Sequence, residues 1–331
     1  MKKIINKAET VVSDMLEGLV AANSDKVTMI PDKSIILRKE KKAAGKVAVI
    51  TGSGSGHEPD QVFYVGKGMM DAACAGPVFA APTADAILEA TKAVDNGSGV
   101  LYMIKNYTGD RAQFAMAAEM AEMEGILVKT VISNDDVAVQ DSTYTAGRRG
   151  VAGAIFNYKI TCAKAEEGAS IDELVELANR VNANTRSMGY GLTSCVTPAK
   201  AAPTFEISEE EMEIGVGLHG EPGRKRTKVQ SAKEIITTLT ELVISDLPFE
   251  TEDEVAVMVN GLGGSPLMEL YIAYREVAQI LKAKGIRVYK SYVNEYCTSI
   301  DMAGCSVSLL KLDDEMKRLL DYPVDIPYHI F

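Results

Sequence analysis

Short apolar runs alternate with amphipathic stretches along the first half of the chain, and this alternation narrows the possible folds more than any other feature. The runs cover residues 47–50, 99–104 and 126–132. Each is short enough for a buried strand. Between them the spacing predicts helices over 83–94, with Thr83 as N-cap, and over 111–124, rich in Ala, Met and Glu. Strands alternating with helices of this length build βαβ units and a mainly parallel sheet. In such sheets ligands sit beyond the carboxyl ends of the strands. The loops after Ile50, Ile104 and Ile132 are therefore the first places to look for chemistry.

The rest of the chain repeats the theme. An amphipathic helix is expected between Ile4 and Ala22, and Ser170 with Glu173 forms a capping box for another that runs to about Val181. The poor helix formers at 182–185 suggest a boundary, dividing the chain into an α/β domain over 1–184 and a second over 185–331. Strands are expected at 191–196, 254–259, 286–292 and 306–310, with helices at 231–242 and from Ser265-Pro266 to Ala283. At 331 residues two domains are the natural count.

Composition excludes several classes. Lys and Arg number 35 against 46 Asp and Glu, a net charge of −11, which repels phosphate backbones and argues against nucleic acid. No apolar run reaches the roughly 18 residues that span a bilayer, and the first seven residues are too polar for a signal peptide. The five cysteines are scattered without a CxxC, as expected for reduced thiols in the cytoplasm. No Cys/His pair has zinc-ligand spacing.

Three segments could carry chemistry. The first is Thr51-Gly52-Ser53-Gly54-Ser55-Gly56-His57-Glu58-Pro59. It lacks the third Gly of a dinucleotide fingerprint, where His57 stands, and the Lys of a P-loop. It is a small-ligand cradle or a tight turn. The second is Lys105-Asn106-Tyr107-Thr108-Gly109-Asp110, where Asp110 is a base or a helix cap. The third is Gly215-Val216-Gly217-Leu218-His219-Gly220-Glu221, whose His-Gly-Glu-Pro echoes the Gly-His-Glu-Pro of the first. Asp135, Asp136 and Asp141 could hold a divalent metal or end strands and turns. Arg148-Arg149 could bind phosphate or form internal ion pairs. The runs 209–211 and 224–226 read as exposed faces, and His329 reads as structural.

Taken together, these segments resemble one family. Added to them are Asp135 to Val139, Tyr144-Thr145-Ala146-Gly147-Arg148-Arg149-Gly150, Asn260-Gly261-Leu262-Gly263-Gly264-Ser265-Pro266 and Tyr296 to Met302. In order and nearly end to end, they resemble the DhaK dihydroxyacetone-binding subunits of phosphotransferase-dependent dihydroxyacetone kinases. The resemblance implies that His219 adds to the ketone as a hemiaminal, that His57 hydrogen-bonds substrate and assists proton transfer, and that Asp110 activates the hydroxyl to be phosphorylated. It implies a substrate cradle of Gly54, Ser55, Gly56 and Lys105. It also implies a cytoplasmic homodimer without nucleotide or metal of its own, ADP/ATP and Mg belonging to a DhaL partner recharged through DhaM. A DhaK-like sensor that binds dihydroxyacetone without turnover is the alternative. One departure stands out. The related loop carries three consecutive glycines, and Ser53 replaces the middle one. If that position needs positive φ, Ser costs about 1 kcal/mol there.

Overall fold

The computed structural model describes residues 3–30, 32–40, 43–139, 146–200, 202–221 and 223–328. The chain divides into two compact units. One gathers Lys2–Ser133, Phe156–Val181 and Arg318–Phe331; the other gathers Asn134–Ile155 and Asn182–Lys317 with Met1. The sequence-based division at 184 follows the chain, whereas this division crosses it several times.

The elements run α1 (Val11–Ala22), β1 (Val27–Ile30), β2 (Ile35–Arg38), β3 (Ala48–Ser55), β4 (Ala72–Val78), α2 (Ala84–Val94), β5 (Val100–Lys105), α3 (Thr108–Met123) and β6 (Val128–Ser133). Then come α4 (Ala154–Glu166), α5 (Ile171–Ala183), β7 (Thr185–Gly191), β8 (Glu211–Ile214), β9 (Lys225–Lys228), α6 (Ala232–Asp246), β10 (Glu254–Gly261), α7 (Leu267–Ala283), β11 (Arg287–Glu295), β12 (Gly304–Lys311) and α8 (Asp314–Leu320). The α/β class and the parallel βαβ core are as expected.

The first unit holds a sheet of order β1-β2-β4-β3-β5-β6. β4, β3, β5 and β6 are mutually parallel, and the β1-β2 pair joins β4 antiparallel. Ile50, Tyr102, Ile104, Ile87 and Phe114 pack its core. Thr83 caps α2, its hydroxyl accepting from the N–H of Ala86 at 3.3 Å. The second unit holds a sheet of order β11-β10-β12-β7-β8-β9, in which only β10-β11 is parallel. Its core packs α6 and α7 with Val257, Val259, Val307 and Leu309. Ser231 and Glu234 form a full capping box for α6.

Several boundaries differ from expectation. The strand expected to end at Ile50 runs on to Ser55, so residues 51–55 are strand rather than loop. The strand expected at 191–196 lies earlier, at Thr185–Gly191, where the interdomain linker was expected. Helix α3 starts at Thr108, three residues early. All five cysteines are buried, and none is in a disulfide. Among the described residues, no helix is long and apolar enough to cross a membrane.

Candidate active site

In the first unit the site grows from the carboxyl ends of β3 and β5. Of Gly52, Gly54 and Gly56, only Gly56 takes a positive φ, 102°. The other two are needed for space. A Cβ on Gly52 would lie 2.7 Å from the carbonyl oxygen of Cys74, and one on Gly54 would lie 2.5 Å from the backbone nitrogen of Ala80. The backbone of β3 is therefore gripped between β4 and the turn that follows it. Ser53 sits in this strand without positive φ, so the expected strain does not arise. Instead its hydroxyl donates to Oδ2 of Asp110 at 2.7 Å, both residues being buried.

Asp110 lies in the first turn of α3. The N-cap is Tyr107, so Asp110 does not cap the helix, and its carboxylate sits where the helix dipole favours negative charge. Lys105, the last residue of β5, is buried and ion-paired with buried Asp60. This pair ties the loop after β3 to the end of β5. A buried cation without such a counter-ion would be expelled or neutralised.

His57 is buried, and its ring stacks on Phe79 with centroids 5.1 Å apart and planes 18° apart. Phe79 and Gln61 both hold positive φ, 59° and 72°. Non-glycine residues in that region store strain and cluster at functional sites. The Phe79 turn is fixed by its N–H donating to Ser55 O at 2.9 Å, while the Ser55 hydroxyl donates to Gly76 O at 2.7 Å. The Glu58 carboxylate accepts the Gly56 N–H at 3.0 Å, and burial pushes its carboxyl above the usual range.

The second unit carries His219 in the connection between β8 and β9. Gly215 and Gly220 turn the chain there at φ 79° and 77°. The Glu221 carboxylate grips His219 twice: Oε2 accepts the backbone N–H at 2.9 Å, and Oε1 lies 3.1 Å from Nδ1. Burial pushes the Glu221 carboxyl up, but the His219 ring and backbone N–H outweigh it and hold it at about 2. An ionised carboxylate at Nδ1 favours a ring proton on that nitrogen. The Ser299 hydroxyl donates to Leu218 O. Arg149 donates to Gly215 O at 2.9 Å and is paired with Asp136. Burial raises the Asp136 carboxyl to about 6, against the pull of Arg149.

These contacts resolve other expectations. Asp135 accepts from the N–H groups of Val151 and Gly153 and from the Ser187 hydroxyl, and Asp136 serves Arg149, so neither stands ready for a metal. Arg148 pairs with Asp246. Asp141, Tyr144, Thr145, Pro222 and His329 lie outside the described residues. The structure thus groups Gly54, Ser55, Gly56, His57, Lys105 and Asp110 in one unit and sets His219 in the other. Sequence reasoning missed Asp60, Phe79 and Glu221. The repeated His-Glu order at 57–58 and 219–221 was the only sign of the last.

The match to known proteins is extensive. The model of the Dak1 domain matches residues 17–328. A Listeria innocua protein described as the dihydroxyacetone-binding subunit DhaK of PTS-dependent dihydroxyacetone kinase 1 is 45% identical, over 98% of this chain and 99% of its own length. Among solved structures, the dihydroxyacetone kinase of C. freundii aligns with a TM-score of 0.91 and 33% identity, over 99% of this chain and 60% of that one. A dihydroxyacetone kinase operon co-activator, Dha-DhaQ, aligns at 0.89 and 34%, over 94% and 96%. A glycine-gripped strand leading into His57, an acid at the head of α3 and a Glu-braced His219 thus occur in a chain that, over nearly its whole length, belongs to the Dak1 domain family.

Proposed function

We propose that this chain is the dihydroxyacetone-binding subunit of a phosphotransferase-dependent dihydroxyacetone kinase. The observation that carries the reading is the nearly full-length 45% identity to the Listeria subunit. The placement of the candidate residues supports this chemistry. Dihydroxyacetone has about six heavy atoms, so even the best ligand efficiency, about −1.5 kcal/mol per atom, limits its non-covalent affinity. A reversible bond supplements that. Nε2 of neutral His219 adds to the ketone carbon and forms a hemiaminal. Glu221 balances the positive charge that the ring gains, and the ketone oxygen takes a hydrogen bond or proton from His57. Glycerol has no carbonyl and is excluded by the same step.

Asp110 accepts the proton of the terminal hydroxyl as its oxygen bonds to phosphorus. Phosphoryl transfer is mostly positioning and charge stabilisation. Lys105 and the backbone of Gly54, Ser55 and Gly56 position the substrate. In this reading ADP/ATP and Mg reside on a DhaL-type partner, recharged through a DhaM-type component. The chain acts in the cytoplasm as a homodimer.

The test is formation of dihydroxyacetone phosphate by this chain, an ADP-loaded DhaL-type subunit and the phosphotransferase components, each omitted in turn. Product that requires both this chain and the partner is expected. Dihydroxyacetone binding without product, beside a partner active with another DhaK, would favour a co-activator role like that of the Dha-DhaQ structure.

A further inference from the structure

We propose that Ser53 is a positioning residue for Asp110, fixing the direction in which its carboxylate accepts the substrate proton. The inference rests on the reading of Asp110 as the base. The Ser53 hydroxyl donates to Oδ2 of Asp110 at 2.7 Å, and the two residues are each 3% exposed. A carboxylate held at one oxygen cannot turn about its terminal torsion without breaking that bond. The bond is charge-assisted and shielded from water, so it is among the stronger ones available.

The anchor is rigid for reasons visible in the strand itself. Gly52 and Gly54 flank Ser53, and both are pressed against the backbone of neighbouring segments, at Cys74 and Ala80. Strand β3 cannot shift sideways without collision. The acid at the head of α3 is therefore referenced to the strand that carries the glycine cradle. A glycine at position 53, as in the three-glycine pattern, would leave the carboxylate without this hydroxyl. The serine is thus a gain of function for orientation at no cost in backbone strain, since its φ is not positive.

The experiment uses the full chain with its partner and phosphotransferase components. Ser53→Ala, Ser53→Thr, Asp110→Asn and the Ser53→Ala/Asp110→Asn double variant are compared for kcat, KM and dihydroxyacetone binding. Ser53→Ala is expected to lower kcat roughly 10- to 150-fold with KM and binding unchanged, the scale of one hydrogen bond to a charged group. Ser53→Thr, which keeps the hydroxyl, is expected to recover most of it. In the Asp110→Asn background, Ser53→Ala is expected to add nothing, because it acts through that carboxylate. A wild-type kcat in Ser53→Ala, or a full independent loss in the double variant, overturns the role of Ser53 while the base reading stands. Absence of wild-type turnover, or unchanged turnover in Asp110→Asn, overturns the base reading and this inference with it.

Discussion

At the scale of single residues, the proposed chemistry depends on how two histidines are held. His57 is immobilised by stacking on Phe79, and His219 by two contacts to one carboxylate. The difference matters. Stacking grips the face of the His57 ring, whereas the carboxylate at Nδ1 engages the edge of the His219 ring. In the proposed mechanism, a carboxylate at Nδ1 of His219 leaves Nε2 as the attacking nitrogen. His219→Ala is therefore expected to weaken dihydroxyacetone binding and to reduce discrimination against glycerol, read by calorimetry with both ligands. Unaltered affinity and selectivity would remove the covalent step. Glu221→Gln keeps the size but loses the charge. It should leave the fold intact and weaken binding about 10- to 100-fold, the scale measured for carboxylates that orient metal-ligating histidines. Nuclear magnetic resonance of dihydroxyacetone labelled at the ketone carbon reads the same event directly. The tetrahedral carbon signal should be lost in His219→Ala and diminished in Glu221→Gln; its persistence at full strength in either would contradict the assigned nitrogen.

At the scale of elements, the parallel strands β3 and β4 are built to be covered by backbone. Gly54 and Gly76 are register partners, and the backbone of Ala80 lies across both, its nitrogen against one and its oxygen against the other. Gly54→Ala places a methyl 2.5 Å from that nitrogen. Backbone must move to accept it, so we expect a loss of about 1–3 kcal/mol of stability. The turn at Phe79 moves with it, so His57 loses its stacking partner and activity falls together with melting temperature. Normal stability and turnover would show that the turn yields freely. The same packing explains what was legible in the sequence. Strands rich in Val, Ile and Leu, such as β5 and β10, announce themselves. β4 reads Ala-Ala-Cys-Ala-Gly-Pro-Val, without alternation and with its single branched residue at the last position, yet its first five residues are buried. Small residues there answer to close packing, which a periodicity cannot display. The glycines of β3 looked like a loop for the same reason. The candidate residues that sit in recognisable motifs, His57, Asp110 and His219, could be picked out from the sequence. Asp60, Phe79 and Glu221 were not, because their importance lies in what they touch.

At the scale of the whole molecule, a chain of net charge −11 sets its stability against pH through a few unusual acids. Two kinds oppose each other. Glu221, held down at about 2 by His219 against the effect of burial, contributes stability that is present above pH about 4.5 and is lost as pH falls toward 2. Asp246 behaves likewise: burial pushes it up, and Arg148 and Arg186 more than offset this. Asp136 has the reverse sign. Its carboxyl is raised to about 6, chiefly by burial, with Asp135 adding and Arg149 and the Ala138 N–H opposing. Below about pH 4 both the folded and the unfolded chain hold that proton. Between about 4 and 6 the unfolded chain has released it while the folded protein keeps it. Stability from this group therefore falls as pH rises through that window, and the slope vanishes above it. Asp136→Asn cannot titrate. Urea midpoints of the two proteins, measured from pH 4.5 to 7.5, should converge or cross in the variant's favour as pH rises to about 6 and then run parallel. The absolute midpoint of the variant also reflects the altered pairing with Arg149, so the difference in slope is the quantity that decides. Parallel profiles across the whole range would mean that Arg149 outweighs burial and that Asp136 is ionised throughout, making the brace on the Gly215 turn a permanent ion pair.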